Sequence, residues 1–392
     1  MLSMSTQPVS PSSDERFNDE ALNQLRKEAD PVVDRLVEEL AAEHRLEAVN
    51  AVLSHLIGNN EPLPEALPPR IERWLRHTAR LPAWADRERL DRATALFARH
   101  GVTICLILAT DALLQCYAMK SGVRVLASSY RLGHSAYHRI AETTQFVLLV
   151  MAPGGLYEDG KGVRVIQKVR LMHAAIRCLL QRSHRWPGEE LGAPICQEDM
   201  LLALVTFSWV VVRGLRRLGV HVDDELAEDY HYFWRVVGDM LGIRPSHTPA
   251  SIAEAAELFE RITQRHHGPS AEGAALTRAL LEFHADLVPG KLFDGLMPAV
   301  MRRLAGDRVA DWLDVPRSQW DLIVSHPRTF GLYVRMLDHL GTALVTRQLV
   351  ALGEYERAGF QIPTSLREAW SLADRRAQVG VPRATTPSAL GA

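Results

Sequence analysis

Two groups of side chains near the middle of the chain have the types and spacings that chemistry needs. In the stretch 163–184, Ile166, Val169, His173, Ile176 and Leu180 recur at three- and four-residue intervals, which is one face of an α-helix. His173 therefore sits inside an apolar stripe. Arg170, three residues before it, and Arg177, four after it, fall on its flank. An imidazole so placed suits an iron held by a ring nitrogen, and two guanidinium groups beside it suit the two carboxylates of a haem. The same pattern also describes a core histidine beside surface arginines, and this helix alone leaves both readings open. The second group is Arg139, Glu142 and Thr143, with Phe146, on one face of the stretch 134–151. Arg139 and Glu142 are three apart and can pair. They read either as a surface ion pair or as a polar cluster at the mouth of a reactive pocket, where a carboxylate moves a proton.

The elements that must position these groups are helices. The spacing predicts helices over 18–56, 69–79, 86–120, 134–151, 163–184, 197–218, 223–241, 249–267, 273–286, 291–305, 317–345 and 346–374. Breakers mark the joints, among them Pro153–Gly162, Trp186–Pro194 and Gly242–Pro249. The hinge Met151-Ala-Pro-Gly-Gly-Leu-Tyr157 suits two helices facing each other across a cavity. No run alternates as strands do, and no fixed-period repeat occurs. The expectation is one all-α bundle over 17–376, with Ser/Pro/Thr-rich disordered tails at 1–16 and 377–392.

Composition narrows the function classes. The 392 residues are 47% hydrophobic and 23% charged, so global disorder and fibrous architectures are excluded. A net charge of −2 offers no bulk attraction for nucleic acid or an anionic membrane. The four cysteines form no C-x-x-C pair and read as reduced thiols, mostly in the core. The first 20 residues hold no apolar stretch, so no signal peptide is expected and a cytoplasmic location is. The longest apolar runs are Val102–Met119, interrupted by Asp111, and the short Leu201–Val212, and neither reads as a transmembrane segment.

Other motifs fall short. Gly155-Leu-Tyr-Glu-Asp-Gly160-Lys161-Gly162 has the P-loop spacing, but Gly162 replaces the hydroxyl that would bind Mg²⁺, and no strand precedes it. Gly133-His-Ser135-Ala-Tyr137 lacks the second glycine of a nucleophile elbow. His134 and His138 stand four apart without the rest of a zinc motif. Trp234-Arg235 near Gly238 reads as packing with a capping ion pair.

In order, the pieces resemble a known family. Arg139-x-x-Glu142-Thr143 precedes Val169-Arg-Leu-Met-His173-Ala-Ala-Ile-Arg177. Pro194-Ile-Cys-Gln-Glu-Asp-Met-Leu, Thr206-Phe207, Tyr230, Trp234-Arg-Val-Val-Gly238 and Leu241-Gly242 follow. Over roughly 85–345 this looks like the catalytic domain shared by latex clearing proteins (bacterial rubber oxygenases) and the fungal oxygenase of mycophenolic acid biosynthesis. The resemblance implies a globin-like all-α bundle holding one haem b. His173 would be the proximal iron ligand, and Arg139 and Thr143 would be distal-pocket residues. It implies oxidative cleavage of isoprenoid carbon–carbon double bonds with O₂ as co-substrate. In the rubber oxygenases a lysine that can cap the iron precedes the distal threonine; here Glu142 stands there. Their catalytic carboxylate upstream of the arginine has no clear counterpart, Val123 lying near its place.

These residues lead to the expectation of a dioxygenase acting on a lipophilic unsaturated small molecule. Glu142, a carboxylate beside bound O₂, would abstract an allylic proton. A haem-binding sensor or carrier on the same fold is the alternative, and a cofactor-free interaction protein a third reading. Oligomeric state is left open.

Overall fold

Pro31 decides how the chain enters the fold. The sequence predicts one helix over 18–56. Proline has no amide hydrogen to donate and disfavours α geometry in the residue before it. Asp19–Lys27 and Pro31–Ala42 are accordingly separate helices. Asn18 caps the first, its side chain accepting from the Ala21 amide at 2.9 Å. A computed structural model of the chain describes residues 16–43, 45, 58–63, 67–129, 134–183, 186–287 and 295–326, without the side chains of 129, 134–139, 141, 286 and 287. The expected helix over 346–374, most of that over 317–345 and the tails lie outside the described residues. Arg16, placed in the tail by the sequence, is instead paired with Glu254.

Among the described residues the protein is all-α, with one isolated bridge between Met119 and His267 and no strand. The expected helices over 69–79, 134–151, 163–184 and 223–241 are Pro69–His77, His134–Met151, Gly162–Arg182 and Asp224–Met240. Ile252–His266, Ala271–Leu287 and Leu296–Ala305 follow. The last is succeeded, after Gly306 in a left-handed conformation (φ 91°), by the short Asp307–Trp312.

The two longest apolar stretches depart from simple helices. The stretch 86–120 forms Arg87–Ala118 and then a separate helix, Lys120–Ser129. Its backbone leaves helical geometry at His100 (φ −124°, ψ 22°) and widens into a π-turn over Leu108–Ala112. A second π-turn, Thr206–Val210, interrupts the stretch 197–218. The two wide turns pack against each other. Hydroxyls satisfy carbonyls there: Thr110 donates to Leu106 O (2.6 Å), Thr206 to Ala203 O (2.8 Å) and Ser208 to Leu204 O (2.9 Å). Asp111, fully buried, bridges them by accepting from Arg213 at 2.8 Å and from Gln115 at 2.8 Å.

The run Val102–Met119, set aside above as a membrane span, belongs to a 32-residue helix that is long and apolar enough to cross a membrane by length and composition alone. Its apolar window has mean hydropathy 1.6, and 56% of that window is buried inside the protein. Here it is a core helix, packed along Asp224–Met240. Together with the His173 helix, Gly162–Arg182, these elements supply a core that includes Ile104, Ile107, Ile166, Val211, Phe233 and Val237.

The loop with P-loop spacing has a different purpose. A Cβ on Gly155 or Gly160 would collide with neighbouring backbone carbonyls. Asn59 donates to Gly155 O (3.1 Å) and Tyr157 O (2.5 Å), fastening this tight turn in front of the His173 helix. Its glycines serve backbone packing.

Burial also keeps several imidazoles neutral. It pushes His231, His267 and His284 each down to about 4 from the usual 6.5. His231 sits between Ser208 Oγ and Pro249 O, each at 3.1 Å. Between pH 6.5 and 4 the unfolded chain binds protons that the folded chain refuses, so stability rises with pH through that window and falls as pH drops. Urea-unfolding midpoints should therefore decline steadily as the buffer is taken from neutral toward pH 4. A flat profile across this range would show that these imidazoles are not held neutral.

Candidate active site

The His173 helix buries one face and tethers another. Ile166, Ile176 and Leu180 of its apolar stripe are buried. Val169, His173 and Ile176 line a cavity of about 310 Å³. The accessible part of His173 faces this cavity, while its Nδ1 is buried with no hydrogen-bond partner among the described residues. Burial, reinforced by the nearby Arg177 guanidinium, pushes the His173 pKa down to about 3. At neutral pH the imidazole is therefore uncharged and keeps a lone pair for an electrophile.

Glu142, Thr143 and Phe146 line the same cavity from the helix His134–Met151, which packs on the His173 helix. Arg139 lies on that helix three residues before Glu142, and its side chain is outside the described ones. The fold thus brings Glu142, Thr143 and His173 to one cavity.

Arg170 and Arg177 are placed differently. Neither lines the cavity. Arg170 grips Asp30 with two bonds, Nε to Oδ2 at 2.6 Å and Nη2 to Oδ1 at 3.1 Å, and donates to Met240 O at 3.2 Å. Gly242, at φ 92°, allows this grip, since a Cβ there would strike the Asp30 carboxylate. Arg177 bonds Asp34 at 2.7 Å and Ile195 O at 3.3 Å. The carboxylates that the sequence led one to seek on a haem are, for these two arginines, supplied by Asp30 at the N-cap and Asp34 in the first turn of Pro31–Ala42. The reason is geometric: at three before and four after His173 they lie on the side of the helix that packs against Pro31–Ala42.

The remaining walls are apolar and aromatic. Phe207 stacks on Trp234 with centroids 4.7 Å apart and planes 25° apart, and Phe146 stands 6.4 Å from each. Trp234 and Gly238 line the cavity as well as packing, Trp234 on Phe207 and Gly238 against Leu204. Arg235 turns outward to donate to Ala250 O at 3.1 Å, its guanidinium 5.6 Å from the Trp84 ring centre. Val123 is fully buried in a separate apolar cluster with Leu114, Tyr117 and Ile140, so no carboxylate approaches from there. Sequence reasoning missed Met119, Gly122, Val125 and Leu126, whose helical spacing aims one continuous face at the cavity. It also gave no role to Asp199, whose carboxylate enters the lining while held by Arg26 at 3.2 Å. Among the described residues no group of three His, Cys, Asp or Glu side chains could hold a bare metal ion.

Residues 92–338 match the family described as ER-bound oxygenase mpaB/B'/rubber oxygenase, catalytic domain, within the 85–345 that carried the resemblance. The chain belongs to this family. A rubber oxygenase from a Streptomyces species is 28% identical over 310 residues, covering 76% of this chain and 75% of the relative. The solved structure of latex clearing protein LCP in the closed state superposes with a TM-score of 0.73 at 25% identity, over 81% of this chain and 85% of that one. Membership of the mpaB/rubber oxygenase family makes the chain an oxygenase-type oxidoreductase on the same all-α fold.

The Asp30–Arg170 pair should dominate the tether. Side-chain exposures of 8% and 13% leave the arginine a buried, uncompensated charge once the carboxylate is gone. Asp30→Ala should cost about 3 kcal/mol of unfolding free energy, whereas Glu72→Ala, which opens an exposed pair with Arg76, should cost at most about 0.5 kcal/mol. Urea titrations of both variants check this, and equal losses would remove the tether from the description.

Proposed function

We propose that the protein is a haem-b-dependent oxygenase that uses O₂ to cleave or oxygenate a carbon–carbon double bond of a lipophilic, isoprenoid-like small molecule, as a dioxygenase. The observation that carries this reading is His173: a neutral imidazole facing an apolar cavity, with its buried Nδ1 unpartnered among the described residues. Such a donor suits an iron that takes a single protein ligand. The flat Phe207–Trp234 stack and the apolar walls suit a planar macrocycle. When bound, the haem supplies the redox chemistry with O₂.

The chain's own residues have four tasks in this reading. His173 would hold the iron, and its helix is held in turn by Arg170 on Asp30 and Arg177 on Asp34. Glu142, on the helix that packs against the His173 helix, accepts an allylic proton from the substrate. Thr143 offers a hydroxyl to the oxygen end of the reacting group, with Arg139 one turn earlier to orient Glu142. The walls of Phe146, Met172, Met200, Leu204 and Phe207 exclude water and bind an alkene without polar recognition. The relative named for rubber supports a substrate of isoprenoid chemistry. Glu142 stands where the resemblance places the capping lysine, and as a carboxylate it would serve as a proton acceptor rather than as a cap.

Purified protein should show a Soret band, and pyridine haemochrome should give about one haem per chain, as the one-ligand logic requires. His173→Ala should lose most of it, while His221→Ala, at an exposed site, should keep it. Equal haem in both variants would take the ligand role from His173.

Glu142→Gln keeps size and removes basicity. With haem content unchanged, turnover of an isoprenoid alkene, followed as O₂ uptake and carbonyl product, should fall by roughly 10²- to 10⁴-fold. Wild-type turnover in this variant would return Glu142 to the role of ion-pair partner.

A further inference from the structure

A glycine inside a helix needs a reason, since it weakens the helix relative to alanine. Left-handed backbone accounts for glycines outside the helices, at Gly154, Gly192, Gly219, Gly242 and Gly306. Close packing is another reason. It accounts for Gly238, one of two glycines in the cavity wall, where a Cβ would lie 2.5 Å from Leu204 Cδ1.

Gly122, the other glycine in the wall, has neither reason. It lies within the helix Lys120–Ser129 and its φ is outside the left-handed region. A Cβ there would meet, among the described residues, only the flexible Met119 side chain, at 3.8 and 3.9 Å, which is ordinary contact. Protein packing therefore does not require the glycine. Val125 and Leu126 on the same helical face, and Met119 just before the helix, are all apolar and all line the cavity. The missing side chain is a notch in an otherwise continuous apolar wall, and the space belongs to the cavity.

We propose that Gly122 is a specificity-determining residue: the notch receives an apolar branch or chain segment of the lipophilic ligand and sets how much alkyl chain the cavity admits. This rests on the reading that the cavity binds a lipophilic alkene. Among the described residues beyond its chain neighbours, only Met119 side-chain atoms lie within 4 Å of the notch, which suits a hydrocarbon occupant, and each methylene such an occupant loses removes burial that favours binding. Short ligands that leave the notch empty are indifferent to residue 122, and long or bulky ones are not.

The test uses the full chain, Gly122→Ala and Gly122→Leu, with geraniol and geranylgeraniol as short and long probes. Binding is read from the rise in Tm that each alcohol causes, which needs no turnover. Without ligand, Gly122→Ala should melt at or above the unchanged chain, as a helical alanine does where nothing clashes. Geraniol should bind all three chains alike. Affinity for geranylgeraniol should fall about threefold in Gly122→Ala and about tenfold or more in Gly122→Leu. A lowered Tm for Gly122→Ala without ligand would show that the glycine serves packing, and overturn the proposal. Equal geranylgeraniol affinity in all three chains would overturn it as well. If neither alcohol shifts the Tm of the unchanged chain, the lipophilic-ligand reading itself fails, and the proposal with it.

Discussion

A single imidazole, His173, placed in the wall of an apolar cavity is the constraint around which the neighbouring helices are arranged. His173 sits on a helix whose stripe residues Ile166, Ile176 and Leu180 are buried, and burial drives its pKa to about 3. Its Nδ1 is buried with no hydrogen-bond partner among the described residues, a desolvation cost that a group bound there would repay. The surrounding side chains Phe146, Phe207, Val237 and Leu241 keep the environment apolar.

Apart from Glu142, Thr143 and Asp199 in the cavity wall, the polar groups described around this arrangement lie behind it and act as struts. Arg170 on Asp30 and Arg177 on Asp34 fix the His173 helix to Pro31–Ala42. Arg26 on Glu198 and Asp199 ties the first helix to the start of the stretch 197–217. Arg213 on Asp111 joins the two π-turns, with the guanidinium 4.5 Å from the Trp209 ring centre. Buried ion pairs add little net stability against an apolar alternative, but they punish misplacement heavily. That asymmetry suits a site whose walls come from several helices and are mostly apolar.

The paired π-turns belong to the same economy. Each admits an extra residue into a helix that supplies cavity wall, Phe207 from one and Leu113 with Cys116 just beyond the other. A uniform helical period from end to end would present different side chains after the insertion. The cost is a set of displaced carbonyls, which Thr110, Thr206 and Ser208 satisfy from within the same segments.

Much of this was legible in the sequence. Apolar periodicity located the helices, the stripe through His173, and the face shared by Glu142, Thr143 and Phe146, because a 3.6-residue period is a local property of the chain. The order of motifs located the family. The partners of Arg170 and Arg177 were not legible, because Asp30 and Asp34 are about 140 residues away and spacing says nothing about which helix a flank will meet. The π-turns were equally hidden, since they depend on a buried Asp111–Arg213 contact made only when two helices cross. Gly122 and Gly238 are the same residue type in the same kind of element. One is forced by Leu204 and the other leaves a notch, and only the packed neighbours distinguish them, because the sequence specifies which face a residue takes but not what stands opposite it.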